Sequence, residues 1–406
     1  MMKKKLVSFG IIVIVMSLLA ACNAAGSYDR KGKKCFAHGE YEDAAEYFTK
    51  AISENPNRAD YYIDYGMTLI ALKQYDKAIT EFDRAYQDKD AGVIIQKKNK
   101  KILRGKGIAL YCKKEYKEAI RQFDQALKIG VSSDLDKDIL YYKASTFLAM
   151  GSCEDAIGVY SSMLSMDKKD ITALMNRAYC YRILGKYAKS IADYDKAIAI
   201  DPKGYDFYFG KYFVLMDQKN KAGAKKVLKQ AAAIQDSSEE GRYNQAKLHF
   251  YQGEYDAALS EFRGKDLRKF AGTFFFVGEI YRMKKDYKSA VYYYESYIKK
   301  DEELTPEVYN QLGSCQIKLG AFKSAIKNLK KGIQMNSAGS MRVLLKNEIV
   351  AYEGVGRYDV ALKKLEKYLE NYPEDEEARK EEVFLKSRVQ APDGNSTDTE
   401  GGHLEQ

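Results

Sequence analysis

The chain has 406 residues, 31% of them charged, a formal net charge of +10, only 5 prolines, and 34 tyrosines beside no tryptophan. That length admits two or three ordinary domains or one elongated array, and so little proline argues against long irregular linkers. The positive excess is spread along the chain, which gives solvation and mild attraction to anionic surfaces and calls for no nucleic-acid partner.

The opening residues read as an export signal. Lys3, Lys4 and Lys5 precede an apolar run over 6–19, and Leu19, Ala20, Ala21 and Cys22 close it. The run is shorter than the ~20 residues a spanning helix needs. A plain signal peptide with an incidental cysteine and an uncleaved anchor are the simpler readings. The ending resembles a bacterial lipobox, in which a cysteine directly after two small residues accepts a diacylglyceryl group before cleavage. The resemblance implies a signal peptide at 1–21, a lipid on Cys22, an anchor linker at 22–27, and a protein held by that lipid on the extracytoplasmic side of a cell membrane. Two or three acyl chains anchor stably, at ~0.8 kcal/mol per buried CH₂. Asn23 is not an aspartate, so nothing asks for inner-membrane retention if the cell has two membranes.

From residue 28 onward one pattern recurs: a small residue, then a large one four places later. The small residues are Ala44, Ala78, Ala119, Ala156, Ser190, Ala224, Ala258, Ala290, Ala325 and Ala361. Their large partners are Phe48, Phe82, Phe123, Tyr160, Tyr194, Leu228, Phe262, Tyr294, Leu329 and Leu365. The intervals between small residues are 34, 41, 37, 34, 34, 34, 32, 35 and 36. An aromatic stands three before the small residue in eight cases, Cys153 and Lys221 being the exceptions, and two places earlier the inter-helix turn has glycine or lysine. A second small residue recurs twelve places upstream, as at Gly32, Gly66, Gly107, Ala144, Ala178, Ala246, Gly278 and Gly313. Antiparallel helices approach closely only where side chains are small, with large neighbours filling the grooves beside them.

This period and pattern resemble the tetratricopeptide repeat, a helix–turn–helix unit of about 34 residues. The resemblance implies an all-α, right-handed α-solenoid of about ten repeats over 28–375. They lie near 25–58, 59–92, 100–133, 137–170, 171–204, 205–238, 239–268, 271–304, 306–339 and 342–375. The stretch 171–204 is the clearest copy, with Gly185 at the turn and Pro202 after the second helix. An insert near 91–99 leads into Lys97, Lys98, Lys100, Lys101, Arg104 and Lys106, read as a solvated helix start rather than a headgroup or partner contact. A shorter insert lies near 130–136. The sixth repeat and the end of the seventh, near 263–268, match worst, and any bend belongs there. A capping helix at 374–389 has acids in its first turn and Lys386 and Arg388 in its last, complementing a helix dipole. The polar tail at 390–406 is expected to be disordered.

No catalytic constellation is present. His38, His249 and His403 lie far apart, with none in metal-ligand spacing; His249 falls where a first helix usually packs an aromatic. Cys35, Cys112, Cys153, Cys180 and Cys315 each fall in a different repeat with no CxxC, and read as small buried hydrophobes. Neither a metal nor a cofactor is called for. What remains is surface. The resemblance implies that first helices line a concave groove that takes peptides or partner helices. By alignment the groove-facing residues include Ile63, Met67, Tyr141, Tyr179, Arg182, Phe209, Phe213, Met216, Tyr243, Phe275 and Arg282. Aromatics with interspersed arginines are hot-spot chemistry. The ring-rich sixth and eighth repeats are either core or binding surface. The carboxylate clamp of chaperone-binding members is not matched, because Asn176 and Arg177 stand isolated. The expected function is a non-enzymatic protein-interaction scaffold or assembly factor at a bacterial envelope. Capture of an extended peptide or glycan in the groove is the alternative, and an accessory subunit without chemistry a third.

Overall fold

The computed structural model describes residues 24–86, 92–131, 133–300, 304–335 and 338–390. The leader with Cys22, the start of the first insert and the tail from 391 lie outside the described residues. Those that are described form α-helices with two short 3₁₀ turns and no strand. Helix α1 covers 24–38. It is followed by α2 (Tyr41–Glu54), α3 (Ala59–Ala71), α4 (Tyr75–Ala85), α5 (Val93–Cys112), α6 (Tyr116–Lys128), α7 (Asp136–Ala149) and α8 (Cys153–Met166). Next come α9 (Ile171–Ile183), α10 (Tyr187–Ile200), α11 (Tyr205–Asp217), α12 (Lys221–Ala232), α13 (Glu239–Gln252) and α14 (Tyr255–Phe262). The last are α15 (Ala271–Met283), α16 (Tyr287–Lys300), α17 (Pro306–Lys318), α18 (Phe322–Gln334), α19 (Ala338–Gly354), α20 (Tyr358–Asn371) and α21 (Glu376–Gln390). This is an α-solenoid, in which odd and even helices alternate as first and second members of each repeat. Contacts divide it into two compact units, 1–220 and 221–406, so the boundary falls inside the sixth repeat.

The sequence register explains the packing directly. All ten small residues of the second helices are at most 2% exposed, and all ten large partners at most 5%. The reason shows at the glycines of the first helices. A Cβ on Gly66 would sit 2.7 Å from the Phe82 ring, and one on Gly105 of the next repeat 2.3 Å from the same ring. Phe82 is thus clasped between two backbones that only glycine lets close. Ser190 fits a small position because its hydroxyl donates to the Ala178 carbonyl at 2.7 Å. Cores bridge neighbours rather than gather in one centre. In unit 1, Ala144, Tyr160, Ala178, Tyr194 and Phe207 form one cluster across successive repeats; in unit 2, Ile349, Leu365, Tyr368 and Leu385 seat α21 on the tenth.

The turn inside each repeat is left-handed. Gly39, Gly151, Gly185, Gly253, Gly320 and Gly356 have φ between 66° and 83°, and the four lysines, Lys73, Lys114, Lys219 and Lys285, have φ of 59° to 66°. An L-residue there costs ~1–2 kcal/mol in backbone strain, which four turns accept. Capping is local. The Asp170 carboxylate accepts the Ala173 N–H at 3.0 Å and Asp375 the Ala378 N–H at 3.1 Å, so α21 starts just after residue 375.

Three expectations need correction. From Val93 on, the first insert is helix, because it extends α5 to 20 residues. Its basic run is not a solvated start either. Lys100 is fully buried, donating to the Ile129 and Val131 carbonyls at 3.1 and 3.0 Å and pairing with Asp136 at 2.5 Å. Lys98 pairs with Asp60, Lys106 with Asp83 and Arg104 with Asp138, leaving Lys97 and Lys101 exposed. Cys35 and Cys112 are half-buried rather than core residues. The weak end of the seventh repeat has a physical form: α14 stops after 8 residues and a 3₁₀ turn at Leu267–Lys269 takes its place.

Candidate interaction surface

In each first helix the residues three before, one after and four after the small position share a face. The structure spreads the eleven candidates along that face very unequally. Ile63 is 6% and Phe209 4% exposed, so both side chains are spent on packing, Phe209 stacking on Tyr205 at 6.4 Å. Met67 is half-buried against the cores on either side of it. Tyr141 is half-buried and its hydroxyl donates to Asp170 Oδ1 at 2.5 Å, tying the fourth repeat to the cap of the fifth. Burial, and then that carboxylate, push the Tyr141 phenol far above its ordinary range. Burial alone would raise Asp170, but Lys137, Tyr141 and the Ala173 N–H together hold it below the usual carboxylate value.

One patch of unit 1 is open. Tyr179 is 46% and Met216 39% exposed. Between them in register, Arg182 lies over the Phe213 ring at 5.3 Å, and its Nε donates to Asp217 Oδ2 at 2.6 Å. The guanidinium is braced rather than consumed, since both members of the pair keep solvent contact. A flat ring, a thioether and an oriented cation can hold a partner's apolar or carbonyl-bearing side chain.

The unit 2 candidates are tied up differently. Tyr243 stacks on Phe270 at 4.7 Å and meets Phe262 edge-on. Phe275 packs among Tyr294, Tyr297 and Phe276. Arg282 donates to Glu279 Oε2 at 2.6 Å, while Tyr294 Oη donates to Glu279 Oε1. Glu279 raises Arg282 against the effect of burial, so the cation is locked to its own helix. Of the eighth-repeat rings Phe276 and Tyr294 are core, Phe274 and Phe275 are half-buried, and Tyr292 is 64% exposed.

Sequence reasoning missed the charged stitching between repeats. A basic residue just before the small position of a first helix reaches an aspartate on the preceding second helix. Lys106–Asp83, Lys143–Asp124 and Lys211–Asp195 do so at 2.5 to 2.6 Å. Arg177 at the same place is held by Asp193 at 2.7 Å and by the Ser161 hydroxyl at 3.0 Å. Opposite charges 16 to 23 residues apart, with the basic one just before a small position, were the signal available. His249 is half-buried with its Nδ1 3.0 Å from Glu261, at a core edge rather than within it. Burial pushes the Cys180 thiol up to about 12 and the Cys315 thiol up to about 11, so neither is a ready nucleophile. Among the described residues no cluster of three His, Cys, Asp or Glu could hold a metal ion.

Comparison with known proteins agrees with the helix pairing. Residues 36–90, 171–203 and 306–338 match family models described as tetratricopeptide repeat. The chain is similar to U-box domain-containing protein 70 of Oryza sativa subsp. japonica, 27% identical over 225 residues, covering 52% of this chain and 26% of that protein. It is similar to Hsp70-Hsp90 organizing protein 2 of Arabidopsis thaliana, 25% identical over 251 residues, covering 55% and 40%. The chain thus spans less than half the length of either relative. Among solved structures it is similar to a tetratricopeptide repeat protein from Parabacteroides merdae, with 20% identity, 62% of this chain and 98% of that chain covered, and a TM-score of 0.46.

Proposed function

We propose that this chain, which belongs to the tetratricopeptide repeat proteins, is a non-catalytic scaffold that holds a protein or peptide partner on its first helices. The observation that carries this is the open patch of unit 1, where Tyr179 and Met216 flank an arginine held in place by Asp217. Packing does not require those two side chains to face solvent. A preoriented guanidinium loses little freedom on binding, which is how such a patch favours a partner.

The names of the chaperone-organizing relatives do not carry a chaperone partner to this chain. Arg177, half of the isolated Asn176–Arg177 pair, is taken by Asp193 and Ser161 and is not offered to a foreign carboxylate. We further propose that the scaffold is lipid-anchored through Cys22 on the extracytoplasmic side of a bacterial cell membrane. The basic, apolar and small-residue order of the leader supports this. Capture of an extended peptide or glycan on the same patch is the second reading, and the exposed Tyr179 ring favours keeping it.

The test is in-cell crosslinking from position 179, combined with Tyr179→Ala and Met216→Ala. The expected result is a fixed protein partner, lost in the variants while the melting temperature stays unchanged. A matching fall in melting temperature assigns the patch to packing. A ligand-dependent melting shift without a protein partner selects the capture reading. For the anchor, Cys22→Ser should abolish lipid labelling; normal labelling of that variant would sink the proposal.

A further inference from the structure

The second helices of the repeats carry opposite charge in the two units. In unit 1, α2, α4, α6, α8 and α10 hold 13 acidic and 8 basic side chains; in unit 2, α12, α14, α16, α18 and α20 hold 14 basic and 6 acidic. In unit 2 this excess meets a recess. Between α18 and α20, over α19, lies a cavity of about 290 Å³ whose lining is partly apolar, from Ile333, Leu345, Ile349 and Tyr368, and otherwise Lys330, Lys364, Lys367, Glu348 and the amides of Gln334 and Asn371. Lys364 is committed, because its Nζ donates to Glu348 Oε2 at 3.0 Å and neutralises a side chain only 3% exposed. Lys330 and Lys367 are exposed, and among the described residues neither forms an ion pair. Lys330 and Lys364 share the Tyr352 ring, at 5.6 and 5.4 Å, which fixes where the first of these cations stands.

We propose that this cavity is a second docking site, on the second helices rather than the first, for an extended acidic segment of a partner protein. A carboxylate side chain of the segment enters between Lys330 and Lys367, and its backbone groups meet the amide of Gln334. Charge complementarity argues for the acid. The recess argues for a peptide over a membrane, since a bilayer meets protruding cations, whereas here Lys330 and Lys367 border a cavity. Two ammonium groups that form no ion pair among the described residues, beside one that does, attract an anion, and the attraction weakens as salt screens it. The site rests on the scaffold reading only in supposing a protein partner, and needs neither the lipid anchor nor the Tyr179 patch.

The experiment titrates the full chain with a fluorescein-labelled peptide of alternating glutamate and glycine, read by anisotropy at low and at physiological salt. Lys330→Glu with Lys367→Glu is expected to weaken binding at least ~tenfold, and Lys330→Gln with Lys367→Gln by less. Lys225→Glu with Lys226→Glu, an equal charge change on α12, should shift it less than ~twofold. Equal losses in the two charge-reversed pairs would reduce the effect to net charge and overturn the site, as would absence of peptide binding. Binding to phosphatidylglycerol vesicles that depends on Lys330 and Lys367, with no peptide binding, would also overturn it and give the surface to lipid. Retained partner crosslinking at position 179 in the glutamate pair, with the peptide lost, separates this site from the first-helix patch. Both lysines are exposed, and unchanged circular dichroism confirms that the variants fold.

Discussion

In the third to sixth repeats, all in unit 1, the place just before the first helix's small position holds Lys106, Lys143, Arg177 or Lys211, and each reaches an aspartate on a second helix. In unit 2 the tenth repeat reverses the pair, with Glu348 on the first helix and Lys364 on the second. The seventh to ninth repeats have Gln245, Val277 and Leu312 there instead, and unit 2 leans on rings, Phe262 lying parallel to Phe276 at 5.5 Å. The small-and-large pair is common to both units. The links beside it are interchangeable, so the backbone plan depends on shape while each unit chooses its own charge.

The largest way to break the comparison is to strip one partner from each kind of buried pair. Arg177→Met leaves Asp193, 3% exposed, with only Lys196 at 3.5 Å, and should cost about 3 kcal/mol by denaturant unfolding. Lys364→Met leaves Glu348 equally buried, but Lys364 is 34% exposed, so a loss about half as large is expected. If the reversed pair cost more, polarity rather than burial would govern the stitching.

Next in size is the clasp itself. A Cβ on Gly107 falls 2.4 Å from the rigid Phe123 ring, whereas on Gly313 it falls 2.6 Å from Leu329. Overpacking costs ~1–3 kcal/mol and alanine returns ~1 kcal/mol of helix propensity. Gly107→Ala should therefore lower the unfolding free energy by about 1–2 kcal/mol and Gly313→Ala by nearly none. Equal effects would mean that ring and branched chain yield alike. The turns sharpen the contrast further: Lys114→Gly should stabilise by up to ~1 kcal/mol and Gly185→Ala should destabilise by about as much, read from thermal midpoints.

A pH dependence that unit 2 contributes through one side chain comes last. Burial first, and Glu381 second, raise the Glu353 carboxyl from its ordinary 4.5 to about 7. The folded chain then holds this proton more tightly than the unfolded chain. Its stabilising contribution is complete below about 4.5 and is lost as pH rises through about 7. Glu353→Gln should flatten that slope, with hydrogen exchange in α19 as the local readout; an unchanged slope would place the titration elsewhere.

Much of the fold was legible because its determinants are local and repeat. Phe82, Phe123 and Tyr194 mark second helices by their spacing from alanine or serine, and the lysines that replace glycine in turns keep glycine's backbone shape. The candidate surface was less legible. A tyrosine one residue after the small position is exposed at Tyr179, but the phenylalanine three before it at Phe209 is buried, and alignment alone treats both as facing a groove. What separates them is the size of residues on neighbouring helices, a non-local property. Lys100 makes the same point. A lysine in a basic run reads as solvated until the chain folds the Ile129 and Val131 carbonyls and Asp136 around it.

Among the described residues each core cluster joins neighbouring repeats, so stability is shared out repeat by repeat. In evolutionary terms, a duplicated stretch such as 171–204 arrives with its own ring, its own small seat and a left-handed turn already in place. Length can then change one repeat at a time, and surface charge can differ from repeat to repeat without disturbing the packing.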